Sequence, residues 1–277
     1  MEKIHKINNS FSVLLSVYYK EEPQFLNEAL KSIWTNQTVK PAQIILIKDG
    51  PLTSDLDAVI AGWKEKLDDV LTLIPLEKNV GLAAALNEGL KYCQHELVAR
   101  MDTDDVAMPT RFEKQIAFMQ QNPEIAASSA QIEEWNTELT QKLDQRNLPT
   151  EPEAVTRFAK RRSPLSHPVS IFRKSAVLAV GGYPPLRKAQ DCALWALLLV
   201  NGYKLANLPD MLLKMRTGNE LLNRRGRSYF KQELQLLKFQ KDIGFLSSFD
   251  YFTNATLRGA LRLSPNFIKN IVYRSAR

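Results

Sequence analysis

The chain has 277 residues, of which 44% are hydrophobic and 24% charged, with a formal net charge of +7. These proportions exclude a disordered, collagen-like or disulfide-stapled chain and leave one large α/β domain or two small ones. Cys93 and Cys192 match no metal or redox spacing and read as reduced thiols. The opening "MEKIHKINNS" carries no apolar signal core, and the run Ala193–Val200 is far too short to span a bilayer, so the expected location is cytoplasmic.

In chain order, "FSVLLSVYY" (11–19) is rich in branched and aromatic residues and predicts a buried strand. "EPQFLNEALKSIWTNQ" places Phe25, Leu26, Ala29, Leu30, Ile33 and Trp34 at helical spacing. "AQIILIKDG" predicts a second strand, "DLDAVIAGWKEKL" a helix, "VLTLIPLE" a third strand, "VGLAAALNEGLKYC" a helix and "ELVARMD" a fourth strand. Strands and helices alternating at these lengths predict a mostly parallel sheet with helices on both faces, and such sheets bind ligands beyond the carboxyl ends of their strands. Further on, "RFEKQIAFMQQNP" reads as a helix and "IAASSAQIEEWN" as a strand. Residues 137–165 read as polar connection plus a short helix. "HPVSIFRKSAVLAVGGY" suggests strand, helix and turn, and "AQDCALWALLLVNGYKLANLPD" an apolar helix followed by a strand.

The chemistry gathers in "ELVARMDTDDVAMP" (96–109). An apolar run ends in three carboxylates, Asp102, Asp104 and Asp105. Like charges this close repel one another unless something neutralises them. A hard divalent cation does so, because Mg²⁺ or Mn²⁺ takes oxygen ligands from one or two carboxylates plus substrate phosphates. The plainer alternative is a solvated acidic turn capping the next helix. Asp49 falls at the end of another strand. No His or Cys gathers nearby in sequence to suggest zinc. Gly81 belongs to neither a G-x-G-x-x-G loop nor a P-loop.

Five blocks together resemble a family 2 glycosyltransferase with the GT-A nucleotide-sugar fold: "FSVLLSVYYKEE", "IILIKDG", "NVGLAAALNEGL", "RMDTDDVAMPTRFEKQ" and "KAQDCALWALLLVNGYK". They keep the family's order and cover roughly residues 11–210. The resemblance implies an α/β fold with a nucleotide-sugar half over about 10–110 and an acceptor half over about 111–220. Ser16 and Tyr18 would line the base pocket and Asp49 would receive the base. Asp102 would sit near ribose and metal, and Asp104 would hold the Mn²⁺ or Mg²⁺ that bridges the donor diphosphate, with Asp105 beside it. Asp191 would be the catalytic base; as a residue alone it also reads as a helix N-cap. At a helix start the dipole would lower its pKa. His167 and Gly182 would lie on the donor or acceptor side, and Arg216 near the diphosphate. The plain readings are a structural histidine, a tight loop and a surface arginine. Lys48-Asp49 stands where the family often has two Asp, and Gln190-Asp191 where it has Glu-Asp.

The family's processive members carry Gln-x-x-Arg-Trp and membrane-spanning helices. Neither is present here, so the resemblance implies an enzyme that adds one sugar. The donor would be a nucleotide-diphosphate sugar, most simply a uridine one. The acceptor would be a polyprenyl-diphosphate-linked sugar in O-antigen, capsule or exopolysaccharide synthesis. Rival readings are a nucleotidyltransferase, whose Gly-rich basic signature "SVYYKEEPQ" does not supply, and a non-catalytic membrane-surface scaffold.

The positive charge is localised. From Arg224 onward there are 11 Lys/Arg against 3 Asp/Glu. Residues 221–277 therefore read as a basic helical tail after a domain over 1–220. Ser264-Pro265 starts a helix with Phe267, Ile268, Ile271 and Val272 beside Lys269, Arg274 and Arg277. Such a segment suits the anionic inner face of the cytoplasmic membrane, or it packs on the main domain. Nothing resembles a nucleic-acid motif.

Overall fold

The structure, a computed structural model, describes residues 10–217 and 227–263. The first half alternates β1 (Phe11–Val17), α1 (Pro23–Ile33), β2 (Gln43–Lys48), α2 (Ser54–Leu67), β3 (Leu71–Pro75), α3 (Leu82–Tyr92) and β4 (Leu97–Arg100). Next come β5 (Val106–Ala107), α4 (Arg111–Gln121), β6 (Ile125–Trp135), β7 (Lys142–Arg146), α5 (Pro152–Ala159), β8 (Ile171–Arg173) and α6 (Lys174–Ala179). Last are α7 (Gln190–Val200), β9 (Lys204–Arg216), α8 (Arg227–Asp242) and α9 (Ser248–Leu263).

All the strands join one sheet in the order β3-β2-β1-β4-β8-β6-β9-β5, with β7 paired to β6. β1 to β4 are parallel, as the sequence predicts. The second half is mixed rather than mostly parallel. β8 runs antiparallel to β4 and β6, β7 antiparallel to β6 and β5 antiparallel to β9, while β6 and β9 are parallel. No strand–helix–strand crossover joins these neighbours one after another, so nothing imposes a single direction.

The continuous apolar strands make sense because both faces of the sheet are covered. Val13, Leu15, Ile44 and Leu46 enter a core under α1, α2 and α4. Leu14, Ile45 and Ile47 point the other way into a core under α3 and α7. The period of two along each strand thus feeds two separate cores. β1 and β4 are neighbours although β2 and β3 lie between them in sequence, so the strand order reverses there and a crevice opens beyond their carboxyl ends.

The segment after Arg224 divides. α8 and α9 form a helical hairpin whose Leu237, Phe245 and Leu246 bury against Ala159 of α5 and Ala196 of α7. Asn254 Nδ2 donates to the Lys160 carbonyl at 2.9 Å. This part of the tail packs on the domain. The amphipathic stretch from Ser264 lies outside the described residues.

Candidate active site

The acidic turn leaves β4 at the reversal point. Asp102, Asp104 and Asp105 each offer a carboxylate oxygen, and these atoms lie within 4.8 Å of one another. The turn is fastened from behind. Asp105 is buried and its Oδ1 accepts the Arg216 backbone N–H at 2.9 Å. The Arg216 guanidinium donates to the Asp104 carbonyl and pairs with Glu28 of α1. Its Nε donates to the Thr137 carbonyl at 2.9 Å, and its plane lies over Phe25 at 4.3 Å. Each guanidinium nitrogen is engaged within the protein. Arg216 is therefore not the surface arginine of the plain reading: its guanidinium, 5% exposed, fastens the acidic turn.

Two further arginines lie beneath. Arg111 is fully buried and donates Nη2 to the Arg100 carbonyl at 2.6 Å and Nε to Gln115 Oε1 at 2.9 Å. Burial, reinforced by the neighbouring Arg100 charge, pushes its pKa down to about 9. Arg100 is 1% exposed and pairs with Asp102.

Burial and the Asp102 charge lift the Asp104 carboxyl to about 6. Burial, then Asp104 and Asp102, lifts Asp105 well above the usual carboxylate range. Glu21, just past β1, faces the same turn: burial, then Asp104 and Asp102, pushes it up to about 7. The Tyr18 phenol is raised by burial and by Glu21, and it also feels Asp104. A set of oxygen-bearing side chains that resists ionising in each other's presence fits a hard divalent cation, which would replace the missing positive charge.

Asp191 is the second residue of α7. The preceding Ala189 has φ +58°, a left-handed conformation uncommon for a residue with a side chain. Burial raises the Asp191 pKa, against the lowering expected from the helix start. The Cys192 and Asp191 amides and the Arg100 charge oppose burial without cancelling it. Arg100 therefore acts on Asp191 as well as on the acidic turn.

The other expected residues lie in β1, after β2, before β8 and in the turn after α6. Ser16 lies inside β1, paired in register with Ile47, rather than past the strand. Asp49 is buried and both its oxygens are used: Oδ1 accepts from Val80 N at 2.7 Å and Oδ2 from Gly81 N at 3.1 Å. It fastens the entry to α3. His167 is buried, with Nε2 3.0 Å from the Tyr183 hydroxyl, and burial followed by Arg100 drives its pKa well down. Gly182, at φ +79°, approaches Asn87 of α3: a Cβ there would lie 2.5 Å from Asn87 Oδ1. Asn87 accepts from Tyr183 N and donates to Tyr183 O, both at 2.8 Å. The turn thus makes its close approach to α3.

The comparisons agree with this geometry. The sequence model described as "Glycosyl transferase family 2" matches residues 12–180. The amylovoran biosynthesis glycosyltransferase AmsE of Erwinia amylovora is 39% identical over 271 residues, 96% of this chain and 99% of that protein. The Escherichia coli protein named UDP-Gal:alpha-D-GlcNAc-diphosphoundecaprenol beta-1,3-galactosyltransferase is 37% identical over 265 residues, 95% of each chain. Among solved structures, S. aureus TarS 1-349 in complex with UDP-GlcNAc superposes with a TM-score of 0.68 at 18% identity, covering 92% of this chain and 76% of that one. The mannosyltransferase PcManGT from Pyrobaculum calidifontis, in complex with GDP-Man and Mn2+, gives 0.62 at 17% identity, covering 96% and 79%. The two structures establish the architecture, and the family match together with relatives similar over nearly their whole length establishes the rest: the chain belongs to glycosyl transferase family 2 and is a glycosyltransferase built on the GT-A fold.

Proposed function

We propose that this glycosyltransferase is a metal-dependent, inverting enzyme. It moves one sugar from a uridine-diphosphate donor to a polyprenyl-diphosphate-linked sugar in the synthesis of a bacterial surface polysaccharide. The observation that carries the reading is the convergence of three carboxylates within 4.8 Å at the point where the strand order reverses, with the buried Arg100 paired to Asp102; the separate carboxyl Asp191, at the start of α7, supplies the base. The full-length E. coli relative, whose name specifies a UDP-galactose donor and a diphosphoundecaprenol-linked acceptor, supports the substrate class.

Asp104, Asp102 and Asp105 would hold Mn²⁺ or Mg²⁺, and such an ion supplies Lewis-acid neutralisation of the leaving diphosphate. Tyr18 and Glu21 lie across the crevice from this turn and border the donor. Asp191 accepts the proton of the attacking hydroxyl, and its raised pKa gives it more driving force as a base than an ordinary carboxylate has. The Cys192 and Asp191 amides, and after them Arg100, oppose the effect of burial and favour its ionised form. Arg216 holds the acidic turn against α1. Among the described residues no helix is long and apolar enough to cross a membrane. Contact with the lipid-linked acceptor is then made from the membrane surface.

The test is release of nucleoside diphosphate from a panel of uridine, guanosine and thymidine sugars, with Mn²⁺, Mg²⁺ or EDTA and a synthetic diphosphate-lipid sugar acceptor. Asp104→Ala and Asp191→Asn accompany the parent. The expected result is metal-dependent, acceptor-stimulated release from one donor, with Asp191→Asn lowering kcat by about 10²–10⁴. Turnover in EDTA equal to that in Mn²⁺, or an Asp191→Asn variant as active as the parent, would overturn the assignment.

A further inference from the structure

A cleft of about 660 Å³ lies between the β7–α5 region, the start of α7 and the α8–α9 hairpin. Three features give it a chemical character. The first is position: Ala189 and Cys192 line it, so it reaches the helical turn that carries Asp191. The second is charge. Five arginines line it (Arg146, Arg161, Arg162, Arg258 and Arg262) against two glutamates, Glu134 and Glu233. Glu134 is held by Arg146 at 2.8 Å, and Glu233 is gripped by Arg262 through two hydrogen bonds of 2.8 and 2.9 Å. The lining stays positive overall, and Arg258 donates Nη2 to the Arg161 carbonyl at 2.9 Å while its Nη1 lies 3.9 Å from the Glu233 carboxylate already held by Arg262. The third is apolar surface. Phe158, Trp195 and Leu236 line the cleft, and its rim includes Leu257 of α9, which is 60% exposed. Elsewhere on α9, Phe249 and Phe252, which precede Leu257 and lie outside the cleft lining, are 79% and 64% exposed. A polyanion at one end and a hydrocarbon at the other is what such a surface complements.

We propose that this cleft is the acceptor-lipid subsite. Arg161, Arg162 and Arg258 take the diphosphate of the prenyl-diphosphate-linked sugar, the first isoprene units lie against the apolar lining and leave over the exposed face of α9, and the sugar is presented at Asp191. The inference rests on the glycosyl-transfer reading above. The chain's own residues 264–277 are a poor occupant, since Lys269, Arg274 and Arg277 make that segment cationic with no acid to offset them.

The experiment uses the full chain and the variants Arg161→Ala, Arg161→Lys and Arg258→Gln. KM is measured for two acceptors with the same sugar, one on a short prenyl diphosphate and one on a neutral aryl aglycone, and UDP affinity is measured separately. The expected result is a rise of about tenfold in KM for the diphosphate acceptor in Arg161→Ala and Arg258→Gln. Arg161→Lys should restore most of it, with the neutral acceptor and UDP affinity unmoved. Arg161 is exposed at its position, so its truncation leaves the packing of the hairpin in place. Unchanged KM for the diphosphate acceptor, or an equal rise for both acceptors, overturns the subsite. Direct binding of farnesyl diphosphate and of inorganic diphosphate is measured in parallel. Binding of farnesyl diphosphate that Arg161→Ala weakens supports the cleft even if no donor is turned over, an outcome that would defeat only the catalytic reading. Equal affinity for the two ligands would assign the arginines to a free anion and overturn the lipid assignment.

Discussion

Replacing Gly182 with alanine tests how the turn before α7 is held. Two costs are legible. Gly182 sits at φ +79°, where a side chain costs about 1–2 kcal/mol. Its new Cβ would also lie 2.5 Å from Asn87 Oδ1, so the amide must move. Moving it breaks the pair of 2.8 Å hydrogen bonds between Asn87 and the Tyr183 backbone, each contributing about 0.5–1.5 kcal/mol. Alanine also narrows the unfolded ensemble, which offsets about 0.4–1 kcal/mol. The net expectation is a destabilisation of about 2–4 kcal/mol. Asn87→Ala alone loses the two bonds and costs about 1–3 kcal/mol. In the double variant the obstruction is already gone, so Gly182→Ala adds only the backbone strain. The cycle should be less than additive by the shared loss of those two bonds, about 1–3 kcal/mol. Urea unfolding at constant m-value measures all four proteins. An additive cycle, or a Gly182→Ala midpoint equal to the parent's, would refute the account of this turn.

Protons and metal compete for the acidic turn. Asp104 titrates near 6 and must be ionised to ligate, so Mn²⁺ affinity should fall about tenfold between about pH 7 and about pH 5. Carboxylates titrating near their usual values would give an almost flat profile over that interval in a calorimetric titration. Removing the Arg100 charge removes an influence that lowers the Asp191 pKa, so Arg100→Gln should move the acid limb of the kcat profile to higher pH. An unmoved limb would separate Arg100 from the base. Asp49→Ala leaves the Val80 and Gly81 amides without their acceptors and should cost about 1–3 kcal/mol, with faster hydrogen exchange at those two amides. Unaltered exchange there would show that Asp49 does not hold the entry to α3.

The acidic turn was legible because residues adjacent in sequence are necessarily adjacent in space. Glu21 was not, because only the neighbouring of β1 and β4 brings it to Asp104, and that is a property of strand order. A carboxylate just after a first strand of this kind was the available signal. Arg100 was read as one position of an apolar strand; its guanidinium is buried because the acidic turn supplies a partner. β7 leaves no signal because "KLDQR" is exposed on one face, only half-buried on the other, and has no hydrophobic period. β9 extends beyond the expected end because the register jumps from Ala130↔Leu208 to Gln131↔Met211. Pro209 and Asp210 are thereby set outside the ladder, and the strand continues past a pair that reads as a turn. The direction of β8 lies in long-range pairing that no local pattern encodes.

The way Arg216 grips Glu28, Thr137 and the Asp104 carbonyl has a consequence for synthesis of the chain. β5 pairs with β9 through Val106 and Lys214, and β9 ends at Arg216. A nascent polypeptide that has emerged only as far as α7 holds every carboxylate of the acidic turn, yet lacks the strand and the guanidinium that fix its shape. The nucleotide half is therefore not a module that can be cut out at its apparent sequence boundary. A fragment ending near residue 110 would keep its parallel strands but lack the clasp, and inserting or trimming residues between α7 and Arg216 should be felt at the acidic turn first.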